Sequence, residues 1–125
     1  MGYAFDNNIP IYIQLQQHFR MRIAAGDLAP GERMPPVREI AATYGINPNT
    51  VQRALAELER DGLAYSQRTI GRFITEDRDR IAEVRQLLAK DAVENFIKDI
   101  RPFHLSLDEV IGVLKDHWGD DDATS

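Results

Sequence analysis

Apolar residues return every three or four positions along most of the chain, and the runs are punctuated by glycine and proline. Ile11, Tyr12, Leu15, Phe19 and Ile23 share one broad face, with Pro10 in the first turn and Gly26 past the last. That pattern predicts a helix over 10–25. Gly26-Asp27-Leu28-Ala29-Pro30-Gly31 reads as a turn-rich connector anchored by Leu28. A second, shorter helix opens after Met34-Pro35-Pro36, turns Val37, Ile40, Ala41 and Tyr44 inward, and closes at Gly45.

Residues 47–62 form the most sharply bounded run. Asn47 is a good N-cap, Pro48 suits the first helical position, and Gly62 suits a left-handed residue after the last turn. Val51, Ala54, Leu55 and Leu58 make the apolar stripe. At about 100° per residue, Asn49, Arg53, Ala56 and Arg60 fall on the opposite face, flanked near the start by Thr50 and Gln52. Amides, a hydroxyl and guanidinium groups on one helix face are what base edges and phosphates in a major groove accept. The same pattern also describes an ordinary amphipathic surface helix, and the neighbouring elements decide between the two. Only Ile46 separates Gly45 from the Asn47 cap, so two helices are joined by a tight turn, as in a helix-turn-helix.

The period then changes. Leu63-Ala64-Tyr65-Ser66, the turn Gln67-Arg68-Thr69-Ile70-Gly71 and Arg72-Phe73-Ile74-Thr75 predict a two-stranded hairpin, a wing whose tip carries Arg68 and Arg72. A solvated tip with incidental arginines is the bland alternative. From 77 to 100 one long helix is predicted, about 35 Å in length, with Ile81, Val84, Leu88, Ala92, Phe96 and Ile100 as its stripe, widened by Leu87 and Ile97. Arg101-Pro102 breaks it. Ser106 and Glu109 have the spacing of a capping box, and Leu107, Val110, Ile111, Leu114 and Trp118 give a final helix one apolar face. Residues 119–125 read as an acidic, disordered tail.

Charge changes this picture only locally. The chain of 125 residues has a net charge of −5, which taken whole disfavours a nucleic-acid partner. Residues 1–75, however, hold eight arginines against seven acids, and the acidic excess lies entirely after them. With no cysteine, thiolate and disulfide chemistry are excluded and the cytoplasm is the natural compartment. No apolar run approaches bilayer length and no secretory signal opens the chain, so no membrane role is expected. Enzyme chemistry finds no support: His18, His104 and His117 stand in separate segments without ligand spacing, and no phosphate-binding glycine loop is present. No cofactor or metal is expected, and no effector is named by the sequence.

The connector at 26–31, Met34-Pro35-Pro36-Val37-Arg38-Glu39-Ile40-Ala41, residues 47–62 and Gly71-Arg72-Phe73-Ile74 together resemble the winged helix-turn-helix of GntR-type transcription regulators. The Asn-Pro-Asn-Thr-Val-Gln-Arg-Ala run is similar to the YtrA-like subfamily. The resemblance spans roughly residues 9–75 and implies operator contacts from Arg38, Asn49, Thr50, Gln52, Arg53 and the turn at Gly71, together with a short helical dimerisation segment. Three positions depart from the pattern. Pro36 replaces the small hydroxylic cap of the second helix, Val37 stands where a polar residue is usual, and Thr69 occupies a common wing glycine.

The chain is therefore expected to be mainly α: a winged helix-turn-helix at 9–75, a two-helix dimerisation appendage at 76–118 and the tail. Double-stranded DNA is the expected partner of a homodimer that works as a transcription regulator, most simply a repressor on a palindromic operator. Asn49, Thr50, Gln52 and Arg53 would read bases. Arg38, Arg68 and Arg72, with Thr69 and Gly71 at the wing tip, would hold the backbone. Ile81, Val84, Leu88, Phe96, Ile100, Leu107, Val110 and Leu114 would form the dimer face, unless they pack on the chain's own winged helix. The rival reading is a winged-helix adaptor that binds protein and has no operator.

Overall fold

The computed structural model describes residues 4–119. In order, α1 (Ile11–Ala25), α2 (Val37–Tyr44) and α3 (Pro48–Arg60) precede an antiparallel pair, β1 (Ala64–Gln67) and β2 (Gly71–Ile74). Then come α4 (Arg78–Ile100), a 3₁₀ turn (Arg101–Phe103) and α5 (Leu107–Trp118). The chain divides into two compact units between Leu88 and Ala89.

In the first unit, α1 and α3 bury their stripes against one another. Leu15, Phe19 and Ile23 of α1 and Val51, Leu55 and Leu58 of α3 are no more than 2% exposed. Ile40 and Ala41 of α2, Leu28 and Met34 from the connecting loop, and Leu63 and Ile74 of the hairpin complete this core. Gly26, Gly45 and Gly62 all adopt positive φ where a helix ends, the conformation expected of C-terminal glycines. Pro10 stands at the N-cap of α1, one position earlier than the sequence suggests. Ile11 is 43% exposed, so the inward face of α1 begins a turn later than the apolar spacing implies.

The hairpin pairs Ala64 with Ile74, Tyr65 with Phe73, Ser66 with Arg72 and Gln67 with Gly71. A third strand-like edge, which the residue pattern before α2 does not predict, joins the hairpin. Arg33 bridges Phe73, Met34 N–H donates to the Arg72 carbonyl at 2.8 Å, and Ile74 N–H donates to the Glu32 carbonyl at 2.8 Å. The loop before α2 thus ties the wing to the helical core.

The dimer face needs a correction. Ile81 and Val84 are 4% and 0% exposed and belong to the chain's own core, with Leu88 packed against it. Two guanidinium groups fasten this part of α4. Arg80 Nε donates to the Asp61 carbonyl at the end of α3 at 2.8 Å, and Arg85 Nε donates to the Ala24 carbonyl near the end of α1 at 2.9 Å. Both satisfy carbonyls that a helix end leaves without an intrahelical partner.

The second unit is different. Its described residues, 89–119, include no buried side chain. Phe96, Ile97, Ile111 and Leu114 are 36–40% exposed, and Leu107 and Trp118 are 74% and 76% exposed. The α5 capping box is present in full: Glu109 N–H donates to Ser106 Oγ, and Ser106 N–H donates to Glu109 Oε1. Beyond Gly119, the acidic tail lies outside the described residues.

His18, on α1, lies with Nε2 2.9 Å from the Tyr44 hydroxyl of α2. Burial lowers its pKa, and the nearby positive charge of Arg22 adds to the shift. The folded chain favours neutral imidazole. The stability this contributes is complete above the ordinary value of 6.5 and is lost as pH falls through the lowered folded value. Wild type should lose more stability than His18→Gln between about pH 7.5 and pH 5. Urea unfolding at the two pH values checks this, and parallel losses would clear His18 of the linkage.

Candidate nucleic-acid interface

The site begins with the rotation of α3 about its own axis. Val51, Ala54, Leu55 and Leu58 are all 0% exposed, so the residues across the helix must face solvent. Asn49, Gln52 and Arg53 do, while Thr50 is half-buried. Asn47 Oδ1 accepts from Asn49 N–H at 2.8 Å with Pro48 following, so the polar face starts from a fixed cap. Arg53 is less free than its position suggests. Its guanidinium carbon sits 3.8 Å from the ring centroid of Tyr12 on α1, and Nη2 donates to the Tyr12 hydroxyl at 3.2 Å. The apolar spacing places Tyr12 in the core stripe; it is half-buried, with a polar tip that reaches the α3 surface.

The wing divides its arginines. Arg68 is exposed at the tip, with no ion pair or side-chain hydrogen bond among the described residues. Arg72 instead pairs with Glu59 of α3, Nε to Oε2 at 2.7 Å, and Ser66 Oγ donates to the same oxygen at 2.9 Å. Arg72 therefore clamps the wing to α3, through a partner on another element that no local residue pattern marks. Arg38 is exposed in the first turn of α2, whose N-cap Pro36 supplies no side-chain acceptor. The departure at Thr69 has a conformational counterpart. Its φ is 65°, the left-handed region that a glycine enters without strain and a β-branched side chain does not.

Between the start of α2, Gln52 of α3 and the wing turn runs an open groove of about 400 Å³. It brings together Gln52, Thr69, Gly71 and Arg72 of the expected contact set; Arg38, Asn49, Thr50, Arg53 and Arg68 do not line it. Among the described residues no three His, Cys, Asp or Glu side chains gather as a metal site. No helix among them is long and apolar enough to cross a membrane.

A helix-turn-helix with an outward polar helix and an attached two-stranded wing defines the winged helix-turn-helix class. The family model for bacterial regulatory proteins of the gntR family matches residues 11–74. Over 115 residues the chain is 33% identical to the HTH-type transcriptional regulator YhcF of Bacillus subtilis, covering 92% of this chain and 95% of that protein. Over 111 residues it is 31% identical to the HTH-type transcriptional repressor YtrA of the same species, covering 88% and 85%. A GntR family transcriptional regulator from Listeria monocytogenes superposes with a TM-score of 0.80 at 35% identity, covering 90% of this chain and 98% of that one. The chain belongs to the GntR family and is a DNA-binding transcription regulator, not an enzyme.

Replacing Thr69 by glycine should relieve a left-handed penalty of about 1–2 kcal/mol, less the greater unfolded-state entropy of glycine, about 0.5–1 kcal/mol. The balance is a gain of up to about 1.5 kcal/mol, and a rise in thermal midpoint of up to roughly 6 °C is expected. Calorimetry checks it, and a lower midpoint would mean that Thr69 is held there by compensating contacts.

Proposed function

We propose that the chain acts as a homodimer that recognises a palindromic operator and represses transcription from it. Each copy would lay α3 in a major groove, with half-sites one helical turn apart, about 34–36 Å, or a multiple of that. Asn49, Thr50, Gln52 and Arg53 read bases, Arg38 and Arg68 hold phosphates, and Thr69 and Gly71 shape the wing tip. Arg72 adds to the field there while anchored to Glu59. Residues 9–75 supply the reader, with the start of α4 completing its core, and the remaining helices to residue 118 join the two copies.

The observation that carries the proposal is the exposed polar face of α3 opposite four side chains of 0% exposure. Two relatives support the finer points. YtrA is named a repressor and aligns along 88% of this chain. The DNA-binding domain of AraR, solved in complex with operator ORE1, superposes at 25% identity with a TM-score of 0.53, covering 60% of this chain and 93% of that one. Homodimerisation is supported by the exposed apolar residues of α4 and α5, namely Phe96, Leu107, Ile111, Leu114 and Trp118. The interface we propose uses these with Ile100 and Val110, and leaves Ile81 and Val84 to the core. A cytoplasmic location follows from the role.

Selection of bound sequences from a random duplex pool tests the reading. An enriched palindrome supports a symmetric reader, a single unrepeated half-site removes the homodimer, and no enrichment removes the operator. Separately, Leu114→Asp places a charge in the apolar face of α5, where Leu114 is 40% exposed and so not needed for the chain's own core. The variant should sediment as a folded monomer and bind the palindrome at least tenfold more weakly, since linkage of two half-sites is lost. A dimer that survives the substitution would displace the proposed interface.

A further inference from the structure

We infer that Arg33, which neither the motif nor the helix pattern singles out, is a backbone-phosphate contact beside the wing, seated in space that Gly71 leaves open. The inference rests on the DNA-reading function proposed above. The backbone of Arg33 is fixed to the wing by its bridge to Phe73, with hydrogen bonds from Met34 N–H and to the Glu32 carbonyl on either side. The side chain then lies against Gly71. A Cβ built on Gly71 would stand 2.9 Å from Arg33 Nε, 3.2 Å from Nη2 and 3.4 Å from Cζ. Any larger residue there must displace the guanidinium, and the φ of 145° at Gly71 independently favours glycine.

Charge says what this arrangement is for. Arg33 and Arg72 both line the groove that Gln52 and Thr69 share, and no acidic side chain lines it. Arg72 is neutralised by Glu59 at 2.7 Å. Arg33 has no ion pair or side-chain hydrogen bond among the described residues, although the chain as a whole is acidic. A guanidinium positioned by its backbone, left without a carboxylate and opening beside base-reading groups has the chemistry of a phosphate clamp. It fixes register and reads no base.

The test measures duplex affinity across 50–200 mM salt for wild type, Arg33→Gln and Arg33→Lys, on the selected operator and on a random duplex. Arg33→Gln should lower the slope of log affinity against log salt by about 0.9, the value for one phosphate, and weaken both duplexes by the same factor. Arg33→Lys should keep the slope. Gly71→Ala strains the backbone at φ 145° in either background, and displacement of the guanidinium should make its weakening of binding larger in wild type than in Arg33→Gln. Circular dichroism confirms that each variant is folded. Intact wild-type binding with an unchanged slope in Arg33→Gln overturns the contact alone. Wild-type binding without salt dependence overturns the DNA reader and the contact together.

Discussion

The burial of one stripe on α3 is the constraint from which the rest of the molecule follows. A fully buried leucine or valine is worth about 1.5–3 kcal/mol, and Val51, Leu55 and Leu58 are all at 0% exposure with Ala54 between them. Turning the helix by one residue would pull these side chains into water and press Gln52 or Arg53 into an apolar core without partners. Burying such groups unpaired costs several kcal/mol more. The helix therefore has one stable rotation, and it presents Asn49, Gln52 and Arg53 outward. Recognition chemistry on one face depends on hydrophobic packing on the other.

Around that helix the arginines separate into struts and free groups, which explains how an almost neutral segment can face a polyanion. Arg80 and Arg85 satisfy carbonyls at the ends of α3 and α1 and bring the start of α4 onto the core. Arg72 holds the wing to α3 through Glu59, and Arg53 rests on Tyr12. Neither Arg33, Arg38 nor Arg68 has an ion pair among the described residues. Net charge averages these groups together, whereas a phosphate meets only the uncommitted ones. Electrostatic attraction falls off over roughly 8 Å at physiological salt, so the acids on distant turns count for little at the groove.

Much of this was legible in the residues because the signals were local. Asn47, Pro48 and Gly62 mark the ends of α3 by backbone geometry that few other residues meet, and Ser106 with Glu109 starts α5 by the same kind of local hydrogen bonding. What escaped the sequence was long-range. The bridge from Arg33 to Phe73 joins residues far apart in the chain, and Pro35-Pro36 beside it disguised a strand-like edge as loop. The pairing of Arg72 with Glu59 depends on how the hairpin folds back over α3. A stripe at helical spacing looks the same whatever buries it, so the residues alone do not separate Ile81 and Val84 from a partner-facing surface. Along α4 the stripe passes without a break from side chains in the chain's own core to side chains that remain exposed.

That change along α4 bears on assembly. Ile81 and Val84 are sealed by the core, whereas Phe96, three turns further on, is 37% exposed and α5 has no buried residue at all. Propensity and capping hold short helices only marginally in water, and most helical stability in proteins comes from packing an amphipathic face. The capping box of α5 contributes about 1 kcal/mol, far less than the ordering of a dozen residues costs at about 1–2 kcal/mol each. Leu107, Ile111, Leu114 and Trp118 repeat at three- and four-residue steps on a helix that buries none of them. A second copy would bring an equal and self-complementary apolar face by two-fold symmetry. The packing that orients α3 within one chain would then have its counterpart in α5 between two.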